Sequence, residues 1–238
     1  MPTGRPSSKR RKPSRIEILH EDHDLIIVNK PAGLLSVPIP KTQAPNLLDI
    51  LNESLARKGE KAITVHRIDR YTSGAVVFAK HSEAHRRLVK QFLSHTPKRT
   101  YLALVRGRVD PPAGELVHTM KQVSRGFRNI VTKPDDPEAG LARLTYETEE
   151  THTTTSLMRI RLDTGLKNQI RVQFTAIGHP IVGDRHYAPS EAAETRIDRQ
   201  ALHSFELELV HPKHGSPVKV RAPWPQDFRE LLSHYRSV

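Results

Sequence analysis

Residues 66–80 read His66-Arg67-Ile68-Asp69-Arg70-Tyr71-Thr72-Ser73-Gly74-Ala75-Val76-Val77-Phe78-Ala79-Lys80. One carboxylate, Asp69, stands among three cationic or potentially cationic side chains, His66, Arg67 and Arg70. Thr72-Ser73-Gly74 reads as a turn, and the apolar run after it is short enough for a buried strand. Neighbouring positive charge favours the ionised form of a carboxylate. At the mouth of a cleft, an ionised carboxylate serves as nucleophile, as general base or as the partner of an arginine. A surface ion-pair cluster ahead of a strand fits these residues equally well.

The rest of the chain weighs on that choice. Its 238 residues hold 38 Lys and Arg against 26 Asp and Glu, a formal charge of +12. That length allows one substantial core. The excess of positive charge points to a polyanionic partner, most simply nucleic acid, through phosphate contacts and counterion release. No long apolar segment or lipidation signal suggests a membrane. There is no cysteine, which excludes disulfides and thiolate metal sites and fits a reducing compartment. With no apolar secretory signal, the expected location is the cytoplasm. Residues 1–15 carry Arg5, Lys9, Arg10, Arg11, Lys12 and Arg15 and no acid, so they read as a disordered basic arm. Residues 16–238 form the folded part, expected as a monomer.

Leu25–Val28 is a short buried strand that ends at Lys30-Pro31-Ala32-Gly33. Leu47, Leu48, Leu51 and Leu55 predict an amphipathic helix over 45–58. Ser82 reads as the cap of a second helix with Leu88, Val89, Phe92 and Leu93 on one face. His81 and His85 have the i, i+4 spacing of a metal pair, but with no third ligand they read as a solvated face. Lys98-Arg99-Thr100 feeds a strand in which Tyr101, Ala103 and Val105 share a face. Residues 110–140, with Lys121, Arg125, Arg128 and Lys133 around Phe127, read as a basic loop for RNA or equally as a solvated hairpin; RNA contact is favoured because the stretch interrupts a strand-rich region. Arg143–Glu149 and Thr155–Leu162 alternate like an antiparallel pair. Ile170, Phe174 and Ile177 mark a helix that Gly178 stops. Asp184 reads as a turn or cap residue. Two strands and a short helix around Phe228, Leu231 and Leu232 close the chain.

Taken together, His66–Gly74, the Lys30-Pro31 turn, Tyr101-Leu102-Ala103-Leu104-Val105, Gln169-Ile170-Arg171 and Gly183-Asp184 resemble, in order, the motifs of the RluA-like RNA pseudouridine synthases. The resemblance covers about residues 16–232. It implies an α+β fold: a largely antiparallel mixed sheet flanked by helices, with a central active-site cleft. It implies isomerisation of uridine in tRNA or large-subunit rRNA, with no cofactor and no metal. By the same resemblance Asp69 is the catalytic residue, Arg171 holds it in two parallel hydrogen bonds, and Tyr101 lies against the target base. Arg67 fills the gap left by the extruded nucleotide. His66, Arg70, Gln169 and Lys167 join it as substrate contacts. The sequence departs from the family at Leu166, Lys167 and Asn168, where a basic residue, a hydroxyl residue and a histidine are usual. It also lacks the room in 1–15 for the small RNA-binding domain that many relatives carry. The rival reading is a non-catalytic RNA-binding or ribosome-assembly factor on the same fold, for which Asp69 is dispensable.

Overall fold

In the computed structural model, which describes residues 16–123, 128–188 and 194–238, the two apolar runs of the first motifs lie side by side. β2 (Leu25–Lys30) pairs antiparallel with β4 (Ser73–Ala79) from Leu25↔Ala79 to Lys30↔Gly74. Both strands are apolar without alternation because both faces of the sheet are covered. On one face α1 (Leu47–Ala56) packs Leu47, Leu51 and Leu55 over Ile26, Val28, Val76 and Phe78. On the other, α2 (Ser82–Leu93) sets Ala84 and Leu88 against Leu25, Ile27, Ala75 and Val77.

Among the described residues the sheet has eleven strands. β1 (Glu17–Glu21) edges β2, and the two-residue β3 (Ile63–Thr64) adds to β4. β5 (Lys98–Arg106), β6 (Ala113–Val123), β7 (Arg128–Val131), β8 (Gly140–Thr151) and β9 (Thr155–Leu162) follow, then β10 (Leu202–Val210) and β11 (Pro217–Arg221). The order is β1-β2-β4-β10-β5-β9-β8-β6-β7, with β11 on β10. Among the described residues β4 and β10 alone run parallel, paired only at His203↔Ser73 and Ser204↔Gly74. A β-carbon on Gly74, whose φ is +116°, would stand 2.1 Å from the Ser204 carbonyl oxygen, so only glycine permits this junction. The late strand β10 thus joins the two halves of the sheet. A larger core lies beyond it, where α3 (Gln169–Ala176) and α4 (Gln226–Arg236) bury Ile170, Phe174, Phe228 and Leu231 against β5, β8 and β9.

The expected α+β class and mixed, largely antiparallel sheet are found. Of the two readings for residues 110–140, the hairpin is found. β6 and β7 form a hairpin there, because Leu116 and Met120 alternate inward with exposed Val117 between them. Arg125 and Phe127 lie outside the described residues, as does the basic arm. The cap of α2 differs from the expected one. His81 takes the extended N-cap position, and its side chain accepts the Ala84 N–H. Among the described residues no helix is long and apolar enough to cross a membrane.

Candidate active site

Asp69 lies in the loop that enters β4, at the parallel junction of the sheet. The loop is pinned from below. Lys30, fully buried at the end of β2, donates from Nζ to the carbonyls of Pro31, Leu34 and Arg70 at 3.0, 2.7 and 3.0 Å. Three acceptors match the three N–H bonds of an ammonium. Burial draws its pKa down to about 7, with the nearby Asp69 charge opposing. Ser36 adds a reciprocal pair, its Oγ donating to the Ile68 carbonyl at 2.8 Å and accepting the Ile68 N–H at 3.2 Å. The Lys-Pro-x-Gly segment is therefore a clamp on the Asp69 loop as well as a turn.

Arg171, on the first turn of α3, links two carboxylates across the molecule. Nη1 donates to Asp69 Oδ2 at 3.2 Å, whereas Nε and Nη2 donate to Asp184 Oδ2 and Oδ1 at 2.6 and 2.9 Å. The pair of parallel bonds expected for Asp69 belongs to Asp184. The reason is position: Asp184 lies beside the guanidinium fork, and Asp69 meets its outer nitrogen only. Side-chain exposure falls along the chain of charges, from 27% at Asp69 to 7% at Arg171 and 1% at Asp184. Asp184 also fulfils its expected role in a turn, since Oδ1 accepts the N–H groups of His186 and Tyr187. Burial alone would raise the Asp184 carboxyl, but Arg171 and these backbone donors outweigh it and hold it below its ordinary value. Asp69 Oδ1 accepts no hydrogen bond among the described residues.

Two cavities flank Asp69. The first, about 570 Å³, is lined by Asp69, Tyr101, Leu162, Ile170, Arg171 and Leu202 among others. Its volume falls in the range of small-molecule sites. Tyr101 is largely buried, and burial raises its phenol pKa, so the ring offers an apolar face and a protonated hydroxyl. Beside it, Arg99 Nη2 donates to the carbonyls of Leu162, Asp163 and Thr164 at 3.2, 2.8 and 3.1 Å. Arg99 thereby holds the β9–α3 turn against β5, in space that Gly165 leaves open: a β-carbon there would lie 2.8 Å from Arg99 Nη1.

The other expected contacts divide. Arg67 is exposed and lines both cavities, as does Lys167. Arg70 is exposed too, but its Nε donates to the Gly33 carbonyl at 2.9 Å, closing the clamp. His66 is not a cation. Burial, with the Arg99 charge, pushes its imidazole down to about 3, and Nε2 accepts the Val77 N–H while the ring stacks on Phe92 at 4.4 Å. Gln169 is buried beneath the turn. Its Oε1 accepts from Thr164 Oγ1 and the Leu166 N–H, and its Nε2 donates to the Arg143 carbonyl and Gln173 Oε1. With the amide filled on both sides, Gln169 shapes the loop and has no donor left for a ligand.

The departure at Leu166–Asn168 has a structural account. Asn168 adopts a left-handed conformation, φ +58°, which Asn tolerates better than most residues. Its Oδ1 accepts from Arg171 Nη1 at 3.1 Å and its Nδ2 donates to the Tyr187 hydroxyl at 3.0 Å. Arg171 lies 4.8 Å from the Tyr187 ring centroid and Arg128 5.5 Å. Sequence reasoning missed Tyr187, Asn168 and Arg99. Only tertiary proximity brings the first two to Arg171, and Arg99 reads as one basic residue of a turn. The histidine pair separates: His85 Nε2 meets the Thr64 carbonyl, and His81 Nε2 meets Asp24 Oδ1 at 2.9 Å. His81 instead lies with His23 and Asp24, their possible ligand atoms within 4.8 Å of one another.

Comparison with known proteins shows the family. Residues 24–176 match the family model described as RNA pseudouridylate synthase. The chain is 38% identical over 237 residues to ribosomal large subunit pseudouridine synthase D of Nitrosomonas europaea, covering 94% of this chain and 66% of that protein. It is 34% identical over 209 residues to the dual-specificity RNA pseudouridine synthase RluA of Escherichia coli, covering 87% and 92%. Human RNA pseudouridylate synthase domain containing 4 superposes with a TM-score of 0.77 at 22% identity, over 92% of this chain and 93% of that one, which shows the shared fold. The chain belongs to the RNA pseudouridylate synthase family, and with it to the isomerases of uridine in RNA.

Proposed function

We propose that this chain isomerises uridine within a stem-loop of tRNA or large-subunit rRNA, with Asp69 as the catalytic carboxylate. The observation that carries the reading is the placement of Asp69 on the wall of a cavity of nucleotide size, one oxygen held by Arg171 and the other without a hydrogen bond among the described residues. In the isomerisation the bond from ribose C1′ to uracil N1 breaks and one from C1′ to C5 forms. The proton on C5 leaves and N1 gains one, so atoms and charge balance without a co-reactant. Asp69 supplies the negative charge beside the sugar–base bond, and Arg171 fixes its orientation. Tyr101 offers the base a surface in place of its lost stacking neighbours. Arg67, at the mouth, is placed to take the vacated position in the RNA stack. The relative from Nitrosomonas europaea, a ribosomal large subunit pseudouridine synthase by name, supports the rRNA target. Such targets place the work in the cytoplasm.

Release of tritium from tRNA and ribosomal RNA labelled at uridine C5 tests the proposal. Wild type is expected to release it. Asp69→Asn is expected to release none while binding the same RNA within about threefold, because phosphate contacts dominate affinity. Near wild-type release by the variant overturns the role of Asp69. RNA binding without release by either protein would favour the assembly-factor reading.

A further inference from the structure

The second cavity beside Asp69 is as large as the first, about 580 Å³, and the proposed chemistry does not use it. The two share Arg67, Ile68, Asp69, Lys167, Asn168 and Arg171, so they meet along the motif loop. The segment after β2 gives Val37, Pro38 and Ile39 to the lining, and the motif loop gives Tyr71. Ile39 is 47% exposed and Tyr71 40%. This part of the lining is preformed, since the Lys30 and Ser36 hydrogen bonds tie residues 31–36 to residues 68–70. Arg70 braces Tyr71, its guanidinium carbon 5.4 Å from the ring centroid. Arg128 on β7 and Lys167 also line it.

The chemistry of the lining selects the ligand. Among the described residues it combines apolar and aromatic side chains with Arg67, Arg70, Arg128, Lys167 and Arg171, against one lining carboxylate, Asp69, that is itself paired with Arg171. An anion alone would not need the apolar side chains, and an apolar ligand would not need the cations. A nucleotide needs both: a π-face to stack and a phosphate to neutralise. Arg67 lines both cavities, so two neighbouring nucleotides could occupy them on either side of it.

We infer that the second cavity is a base-stacking subsite for a second unpaired nucleotide of the same RNA strand, adjacent to the target uridine, with Tyr71 and Ile39 as its stacking wall. The inference rests on the reading of the first cavity as the uridine site. It makes target choice depend on a pair of extruded nucleotides, so an unpaired loop is favoured over a single mismatched uridine in a stem.

The test is an NMR titration of the full ¹⁵N-labelled chain with the trinucleotide UpUpU and with the same trimer lacking all its bases. UpUpU is expected to shift the amides of Ile39 and Tyr71 together with those of Leu162 and Gly165 in the first cavity. Tyr71→Ala and Ile39→Ser are each expected to weaken UpUpU about tenfold, the usual scale for loss of one stacking partner, and to leave affinity for the abasic trimer unchanged. Both residues are exposed, and unfolding temperatures are compared to confirm that the variants fold. Absence of shifts at Ile39 and Tyr71, or equal UpUpU affinity in wild type and variants, overturns the subsite. Equal weakening of the abasic trimer overturns the stacking role. Tritium release is scored separately. Release by wild type with no variant effect on UpUpU sinks the subsite alone; the stacking effect without release sinks the isomerase reading alone.

Discussion

Asp184 lines neither cavity, yet its replacement by Asn is expected to damage both stability and turnover. Its Oδ2 receives Arg171 Nε, and its Oδ1 receives Arg171 Nη2 and the N–H groups of His186 and Tyr187. Every contact is an acceptor contact. An asparagine satisfies one oxygen position only and turns an NH₂ group toward an arginine or backbone donor. Removing one partner of a buried pair leaves the other charge uncompensated and costs about 3–5 kcal/mol. For a chain of this size that lowers the unfolding temperature by roughly 6–20 °C. Arg171, released from its fork, no longer presents Nη1 to Asp69 in a fixed geometry. Turnover is expected to fall about 10- to 100-fold, equal to about 1.4–2.7 kcal/mol in the barrier, while RNA affinity stays within about twofold because phosphate contacts carry it.

The pH dependence has a definite sign. The folded Asp184 carboxyl lies below its ordinary value. Its contribution is therefore complete above the unfolded carboxylate pKa, about 3.9, and is lost as pH falls through the lower folded value. The stability gap between wild type and Asp184→Asn should narrow on acidification. Calorimetry at neutral and acid pH, with single-turnover kinetics on the same protein, reads all three quantities. An unfolding temperature within about 2 °C of wild type, with unchanged turnover, would refute the idea that Asp184 orients the arginine. Replacing both partners, Arg171→Met with Asp184→Asn, should recover part of the stability and none of the activity.

Two further substitutions probe the frame of the site. Lys30→Met strips three buried carbonyls of their donor and should cost about 3 kcal/mol or more, seen in denaturant unfolding. Since the folded Lys30 is drawn down to about 7, the unfolded chain binds the extra proton between there and about 10.4, so wild-type stability gains with pH across that window. The Met variant should lack this gain; equal pH slopes would count against it. Gly74→Ala places a β-carbon 2.1 Å from the Ser204 carbonyl oxygen and should cost about 4 kcal/mol or more. A soluble variant with wild-type unfolding would contradict the strand junction described above.

Much of this protein is legible along the chain because its signals are local. The continuous apolar runs at Leu25–Val28 and Ala75–Ala79 announce strands buried on both faces, and the leucines of α1 announce the helix that covers one of them. The ordered motifs are sufficient for the family, since each is a short run whose residues act together. What the sequence misplaced or left open is what long-range contact decides. In the charged stretch 110–140 the sequence left loop and hairpin open, because the inward positions of β6, Leu116 and Met120, are few. His66 looks like a cation beside Asp69, but the fold stacks it on Phe92 and spends its Nε2 on the Val77 N–H. Gln169 looks like a contact, but the turn above it consumes its amide.

The partner of Arg171 is the clearest division. The sequence by itself determined that an arginine and a carboxylate would meet at the site. Nothing in the spacing from Arg171 to Asp69 or to Asp184 tells which oxygen pair receives the fork. That was decided by α3 docking beneath β5, β8 and β9, which sets Asp184 in the dry interior beside Nε and Nη2 and leaves Asp69 at the cavity wall. Hydrogen-bond geometry and burial are properties of the folded surface, and they exist only once the strands at both ends of the chain have closed on one another.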